Sequence, residues 1–380
     1  MKKVLLMFGG VFLGMAVSGA VQNVTITADN AYAYNASNRL ACDSGSKILV
    51  TYSYRADGKT LKESLLDFID VTPSVAGQPD PWVSIRVVGD GLKNDVDFSA
   101  QPYLWLGTTE IASAIVLDGV FEPYGDVYQL GYGENVSGEY RGLVVKDLRD
   151  NPVSGAPRRV RAAGPGNVLL GGGTYSGGIV AEGPSYLTIC STSDVGTGYR
   201  NASVPAITLR NVDGKAARLQ LKNVNVVYAE DLEIRIDGVN ELHSCGANKT
   251  VYTTFKGPVT GSGQIRLTDQ GGVHFTSARN TFDGEIYVSN RQQIYDVEIC
   301  IGDGVNCSWA GSKITQPSNW TNHIVTVNCG SDFTLDAELS ASGGRLVKKG
   351  DGSLTLGKAF PRKPIRTDIP VLQILGGTVK

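Results

Sequence analysis

The 380-residue sequence predicts an all-β fold, and three features carry that reading. Apolar residues recur at every second position in short runs, the spacing that turns one side chain to a core and the next to solvent. Glycine is abundant, 47 residues or about one in eight, and falls mostly between those runs. Charged residues make up 19% and hydrophobic ones 42%, enough to bury a core and too much for a disordered chain. The glycines keep no Gly-X-Y register, which excludes collagen, and 15 prolines are too few for a low-complexity linker.

The first segment reads as a signal peptide, residues 1–20. Met1-Lys2-Lys3 gives a basic start, Val4 to Val17 an apolar stretch, and Ser18-Gly19-Ala20 a small-residue cleavage site, with cleavage after Ala20. About 14 apolar residues are too few to span a ~30 Å hydrocarbon layer. No cysteine follows until Cys42, which argues against a lipid anchor. Bacterial export is therefore expected, to a secreted or cell-surface location. Loss of Lys2 and Lys3 leaves 33 basic residues against 37 acidic, a net charge of −4. No basic patch suggests nucleic acid as a partner, and no second stretch is apolar and long enough to cross a membrane.

Residues 21–140 are expected to form an N-terminal β-rich region or cap, and residues 141–380 the main repeating domain. In chain order the alternating runs are Val83-Ile85-Val87, Leu104-Leu106, Leu143-Val145, Val168-Leu170 and Leu187-Ile189. There follow Ile207-Leu209, Leu219-Leu221, Val224-Val226, Leu232-Ile234-Ile236, Ile265-Leu267 and Val273-Phe275. The last are Ile286-Val288, Val297-Ile299-Ile301, Leu354-Leu356 and Leu372-Ile374. One segment reads as a helix: Thr60-Leu61-Lys62-Glu63 has capping-box form, with Leu61, Leu65, Leu66 and Ile69 at helical spacing. Asp-Gly pairs at 57–58, 90–91, 118–119, 213–214, 237–238, 283–284, 303–304 and 351–352 predict tight turns. The nine-residue calcium-binding repeat is missing, so turns rather than calcium loops are expected.

Repeats choose between a sandwich, a barrel and a solenoid. Gly261-Ser262-Gly263-Gln264-Ile265-Arg266-Leu267 is followed by Asn280-Thr281-Phe282-Asp283-Gly284-Glu285-Ile286-Tyr287-Val288. A related unit covers residues 166–180, with Gly171-Gly172-Gly173 and Gly177-Gly178. The last copy runs Leu346-Val347-Lys348-Lys349-Gly350-Asp351-Gly352-Ser353-Leu354-Thr355-Leu356 and closes at Gly376-Gly377-Thr378-Val379. These segments resemble the autotransporter-associated β-strand repeat, with its L-x-K-x-G-x-G-x-L-x-L stretch, N-T-[YF]-x-G turn and G-G-T-[LV] ending. The match is best at 346–357 and 376–379, weaker at 166–180 and 261–288, and lapses where Ala359 to Pro364 replaces the turn. The resemblance implies a right-handed parallel β-helix on an exported protein and names no activity. At about 22 residues per coil, residues 140–380 would form about 11 coils. Asn211, Asn223 and Asn225 are candidates for stacked asparagine ladders. The chain closes inside what reads as a repeat's final strand, with no translocator barrel after it, which suggests a fragment of a longer product or another export route.

Cys42, Cys190, Cys245, Cys300, Cys307 and Cys329 are an even set, which suits disulfides in an oxidising compartment. Cys300 and Cys307, flanking Gly302-Asp303-Gly304, are the most local candidate pair. Close cysteine pairs or matched histidines for zinc are missing, and His243, His274 and His323 are scattered, so no metal or cofactor is expected. Asp231, Glu233, Arg235 and Asp237 alternate with Leu232, Ile234 and Ile236 and so share an outward face. Paired carboxylates of this kind serve glycoside hydrolysis, and a solvated charged face is the plainer reading. Tyr32, Tyr34, Tyr52 and Tyr54, with Trp82, Trp105, Trp309 and Trp320, are either sugar-stacking or packing residues, packing being the plainer. The expectation is a structural, adhesive, passenger-like protein of the cell surface or outer membrane, without catalysis. Its partners would be glycans or cell-surface components of a host or the environment. The alternative is a carbohydrate-active β-helix enzyme, a polysaccharide lyase or glycosidase, working through Asp231 to Asp237.

Overall fold

A computed structural model describes residues 21–26, 39–42, 47–53, 69–71, 81–88, 96–99, 103–108, 115–117, 119–131, 142–197, 204–221, 227–244, 252–268, 271–289, 297–316, 323–341, 345–357 and 371–380. The expected leader, with cleavage after Ala20, lies outside these residues, and so do residues 60–68 of the expected helix. Ile69, the last apolar position of that helical pattern, instead sits buried in the strand Ile69–Val71 and pairs with Leu40.

The chain is a parallel β-solenoid. Every ladder between described strands is parallel, and the one helical turn among them is the 3₁₀ segment Thr192–Val195. The longest face begins at Val21–Ile26, runs through Lys47–Ser53, Trp82–Val88, Leu104–Thr108 and Val127–Gly131, and continues to Glu338–Ala341. It crosses residue 140 without a break, Val127 pairing with Arg159. Coil length is uneven: Val160 pairs with Ile179, a step of 19 residues, and Lys47 with Trp82, a step of 35. The uniform period of about 22 residues is therefore corrected. After residue 140 this face carries eight described strands, from Arg159–Ala163 to Glu338–Ala341, rather than eleven.

A second face stacks Ile115–Leu117, Leu143–Val145, Asn167–Leu170, Tyr186–Ile189 and Arg218–Leu221. The two faces then fuse. The strand Ile234–Ser244 pairs with Ile207–Arg210 through its first half and with Arg218–Leu221 through its second. The fused strand bends at Gly238, which stacks in register on Gly263 and Gly284 of the next coils. Gly263 holds φ at +119°, and a Cβ there would drive into the Gly238 carbonyl oxygen, so only glycine fits. The Asp-Gly pairs at 237–238 and 283–284 thus lie inside strands, at this bend. Asp213-Gly214 is a true turn: both residues have positive φ, and Val212 and Lys215 exchange backbone hydrogen bonds of 3.1 and 2.9 Å.

Beyond the fusion a third face appears: Val227–Tyr228, Tyr252–Phe255, Gly271–Phe275, Val297–Ile301, His323–Asn328, Arg345–Lys349 and Val371–Ile374. A small corner sheet joins Phe333–Leu335, Ser353–Leu356 and Thr378–Val379. The alternation places the expected residues inside, among them Val83, Ile85, Leu104, Leu106, Leu187, Ile189, Ile207, Leu209, Ile286 and Val288. Each such side chain contributes about 1.5–3 kcal/mol of transfer free energy. Leu372 and Ile374 depart from the pattern and are 41% and 50% exposed. They stand in register with the buried Leu346 and Lys348, on a strand that has a described neighbour on one side only.

The Leu346–Gly352 segment shows why its residue types recur. Lys348 is fully buried, and its Nζ donates to the carbonyl oxygens of Lys349 (2.5 Å), Gly350 (2.7 Å) and Gly376 (3.4 Å). One ammonium thereby ties a corner to the corner of the next coil. Asparagines do similar work, the expected Asn211 among them. Asn280 accepts from the Val259 amide and donates to the Ser277 and Ser308 carbonyls, while Asn240 clamps Ala217, Leu209 and Asp237. Asn211 donates to the Val239 carbonyl, and Asn223 and Asn225 lie outside the described residues.

Candidate functional site

On the third face, side chains alternate between the core and an outer groove. Val273 and Phe275 of Gly271–Phe275, Ile299 and Ile301 of Val297–Ile301, and Val325 and Val327 of His323–Asn328 all point inward. The residues between them must point outward. His274 is in register with Cys300, and Cys300 with Thr326. Glu298, two residues before Cys300, shares that outer face. His274, Glu298 and Cys300 line a cavity of about 360 Å³, together with Thr254, Asp303, Asn328 and Lys349.

The donor atoms of His274, Glu298 and Cys300 all lie within 4.8 Å of one another. His274 Nε2 stands 4.0 Å from Glu298 Oε2, too far for a hydrogen bond. The other carboxylate oxygen, Oε1, accepts from Thr326 Oγ1 at 2.5 Å and lies 3.9 Å from Lys349 Nζ. Thr326 is itself fully buried, so Glu298 is held from behind.

Burial, and then the nearby Glu298 charge, push the Cys300 thiol up to about 12. Burial pulls His274 below its ordinary value; Glu298 opposes this and Lys349 adds to it. At neutral pH the groove therefore presents a neutral imidazole and a protonated thiol. Such a thiol is a poor nucleophile. The same nitrogen, sulfur and oxygen donors match what a borderline-soft transition metal accepts.

The expected Cys300–Cys307 disulfide is not formed, and no disulfide joins two described cysteines. Cys300 faces the groove and its Sγ lies 3.5 Å from the Gly302 carbonyl oxygen. Cys307 packs against the core, with Sγ 3.8 Å from the Ile301 carbonyl oxygen. Burial, followed by the neighbouring Cys329 and Cys300, pushes Cys307 up to about 12 as well. Cys245 lies outside the described residues.

The acidic face at 231–237 is outward, as the alternation requires: Leu232, Ile234 and Ile236 are buried and the charged residues between them are not. Three of its four charged residues have side-chain partners. Arg235 Nε donates to Asp237 Oδ1 at 2.9 Å, and Glu233 accepts from Thr260 at 2.6 Å. These acids lie away from the groove. Of the aromatics, Trp105 and Trp309 are buried, and Trp82 stacks on Trp105 with centroids 4.5 Å apart. Tyr32, Tyr34 and Trp320 lie outside the described residues, as does Tyr54.

Sequence reasoning missed the groove because its residues are not close in sequence. Cys300 follows His274 by 26 residues, one coil, and becomes its neighbour only once the strands stack. A search for polar residues one coil apart within alternating runs would have found the pair. No helix among the described residues is long and apolar enough to cross a membrane. Set against known protein families, curated proteins and solved structures, the chain finds no match.

Proposed function

We propose that this chain is an exported, passenger-like β-solenoid with a structural and adhesive role, working by binding glycans or cell-surface components and not by catalysis. The observation that carries this reading is the ladder that pairs coil to coil from Val21 to Ala341 and turns a continuous outer surface to solvent. Such a rod displays many weak contacts at fixed spacing, which is how extended surfaces gain avidity. The corner built by Lys348, Gly350 and Gly376 gives a physical reason for the L-x-K-x-G-x-G pattern and supports kinship with autotransporter-associated repeats. The engagement of Asp237 by Arg235 and of Glu233 by Thr260 also favours a binding face over a hydrolytic one.

The test has two arms. Expressed with its leader in a Gram-negative host, the chain should lose residues 1–20 and reach the cell exterior. Purified residues 21–380 should bind a subset of immobilised glycans or host-cell surfaces and leave soluble polysaccharides intact. Retention in the cytoplasm with the leader uncleaved would sink the export reading. Release of reducing or unsaturated sugar ends that disappears in Asp231→Ala or Glu233→Ala would replace adhesion with carbohydrate cleavage.

A further inference from the structure

We propose that His274, Glu298 and Cys300 form a binding site for one zinc(II) ion on the outer face of the third sheet. The proposal does not depend on the adhesive role.

Three observations converge on it. First, the donor set is an imidazole nitrogen, a thiol sulfur and a carboxylate oxygen gathered within 4.8 Å. Sulfur and nitrogen donors favour zinc over calcium or magnesium, which would want several oxygens where this groove offers one carboxylate among the three. Second, the spacing leaves room for an ion. The 4.0 Å between His274 Nε2 and Glu298 Oε2 is too long for a hydrogen bond, and two metal–ligand bonds of ~2.0–2.2 Å would bridge it. Reaching tetrahedral ligand distances asks for a contraction of about 1 Å. Third, the ligands stand on rigid, paired strands with support behind them. His274 and Cys300 are register partners, and Thr326 holds Oε1 of Glu298 so that Oε2 turns to His274.

On binding, the Cys300 S–H bond breaks, the thiolate sulfur bonds zinc, and the proton leaves to solvent. The imidazole enters neutral. Lys349, whose side chain is 44% exposed, swings away from Glu298 as the ion arrives. Three protein ligands leave a fourth position open to water from the cavity.

The experiment uses the full chain stripped with EDTA and titrated with zinc against a chromophoric chelator, with cobalt(II) as the spectroscopic probe. One zinc per chain is expected, together with a thiolate-to-cobalt charge-transfer band and no competition from millimolar calcium or magnesium. Cys300→Ser should abolish the band and weaken zinc at least about 10-fold, and His274→Ala and the isosteric Glu298→Gln should weaken it to a similar degree. Thr326→Val should cost ~10-fold through the lost support of Glu298. Circular dichroism of each metal-free variant separates lost binding from lost fold, and Glu298→Gln is the variant least able to disturb packing. The proposal is overturned if wild type takes up no stoichiometric zinc or if the four variants bind as wild type does. Persistence of the band in Cys300→Ser would also overturn it, since the thiolate would then come from another of the chain's six cysteines.

Discussion

Two outward columns of this solenoid carry the same chemistry in opposite states. On the second face and its continuation, His243 Nε2 lies 3.0 Å from Glu241 Oε2, Tyr186 hydroxyl 3.4 Å from His243 Nδ1, and Arg218 Nε 3.0 Å from Glu241. Thr188 reaches both Asn167 and Gln220 at 2.9 Å. There the histidine and the glutamate are in direct contact with each other and with their neighbours. On the third face, His274 and Glu298 stand 4.0 Å apart beside a thiol, around an open cavity. His243 and Glu241 are two residues apart on one strand and meet side by side; His274 and Glu298 come from adjacent coils and face a cavity without touching.

Removing the stacked glycine bend, which sits in the same coils as both columns, should have the largest effect. Gly263→Ala places a methyl group against the Gly238 carbonyl and forces φ of +119° on a residue that resists it. A loss of about 3–5 kcal/mol is expected, read by urea unfolding, with zinc uptake and the His243 clasp failing together. Gly214→Ala is the control: φ there is +76° but a Cβ would meet nothing within 4 Å, and about 1 kcal/mol is expected. Equal losses at the two glycines would mean that the stacked bend does not hold the coils.

Next in size is the contrast between the two acids. Glu241→Gln removes the charge that His243 and Arg218 share, at a cost of about 1–3 kcal/mol. Glu298→Gln keeps an oxygen for Thr326 and gives up only a distant lysine, so in EDTA it should cost under about 1 kcal/mol. Acid pH sharpens the contrast. The His243 hydrogen bond, aided against burial by the Arg218 charge, holds Glu241 below its usual value. As pH falls below the ordinary glutamate range the unfolded chain takes up the proton first. The stabilisation is therefore complete above that range and is lost as pH drops through the lower folded value. Unfolding curves at several pH values should show this limb in wild type and a flatter one in Glu241→Gln. An unchanged limb would show that the clasp carries no acid-linked stability.

How much of this was legible beforehand follows from which interactions are local. Strand alternation is local, so Val83, Leu104, Ile207 and Ile286 were placed in the core from spacing alone. The glycine-rich segments at 261–263, 284 and 350–352 were located, but their use at stacked bends was not, because the clash they avoid comes from the next coil. Asn211 was singled out and does bond the next coil, and Asn280 stood in the quoted repeat, but the clamp of Asn240 was not foreseen, since what an asparagine clamps depends on register. The groove was illegible for the same reason. Cys300 was read with its sequence neighbour Cys307, whereas its chemical neighbour is His274, one coil earlier.

The smallest predicted effect is the most specific to the open column. Lys349 Nζ sits 3.9 Å from Glu298 Oε1 and holds part of the positive charge that a cation would otherwise supply. At that separation the pair is a weak one and adds little to stability, whereas Arg218, equally exposed, touches Glu241 at 3.0 Å. Lys349→Met keeps most of the apolar stem and removes the competing ammonium. Zinc should then bind about 3–10-fold more tightly by chelator competition, with unfolding in EDTA unchanged within about 0.5 kcal/mol. Replacing Arg218 by Met in the closed column should do the reverse: no change in zinc affinity and a measurable loss of stability, because there the cation completes a network. If Lys349→Met weakens zinc, the lysine is positioning Glu298 for the ion, and the two columns differ less than their distances imply.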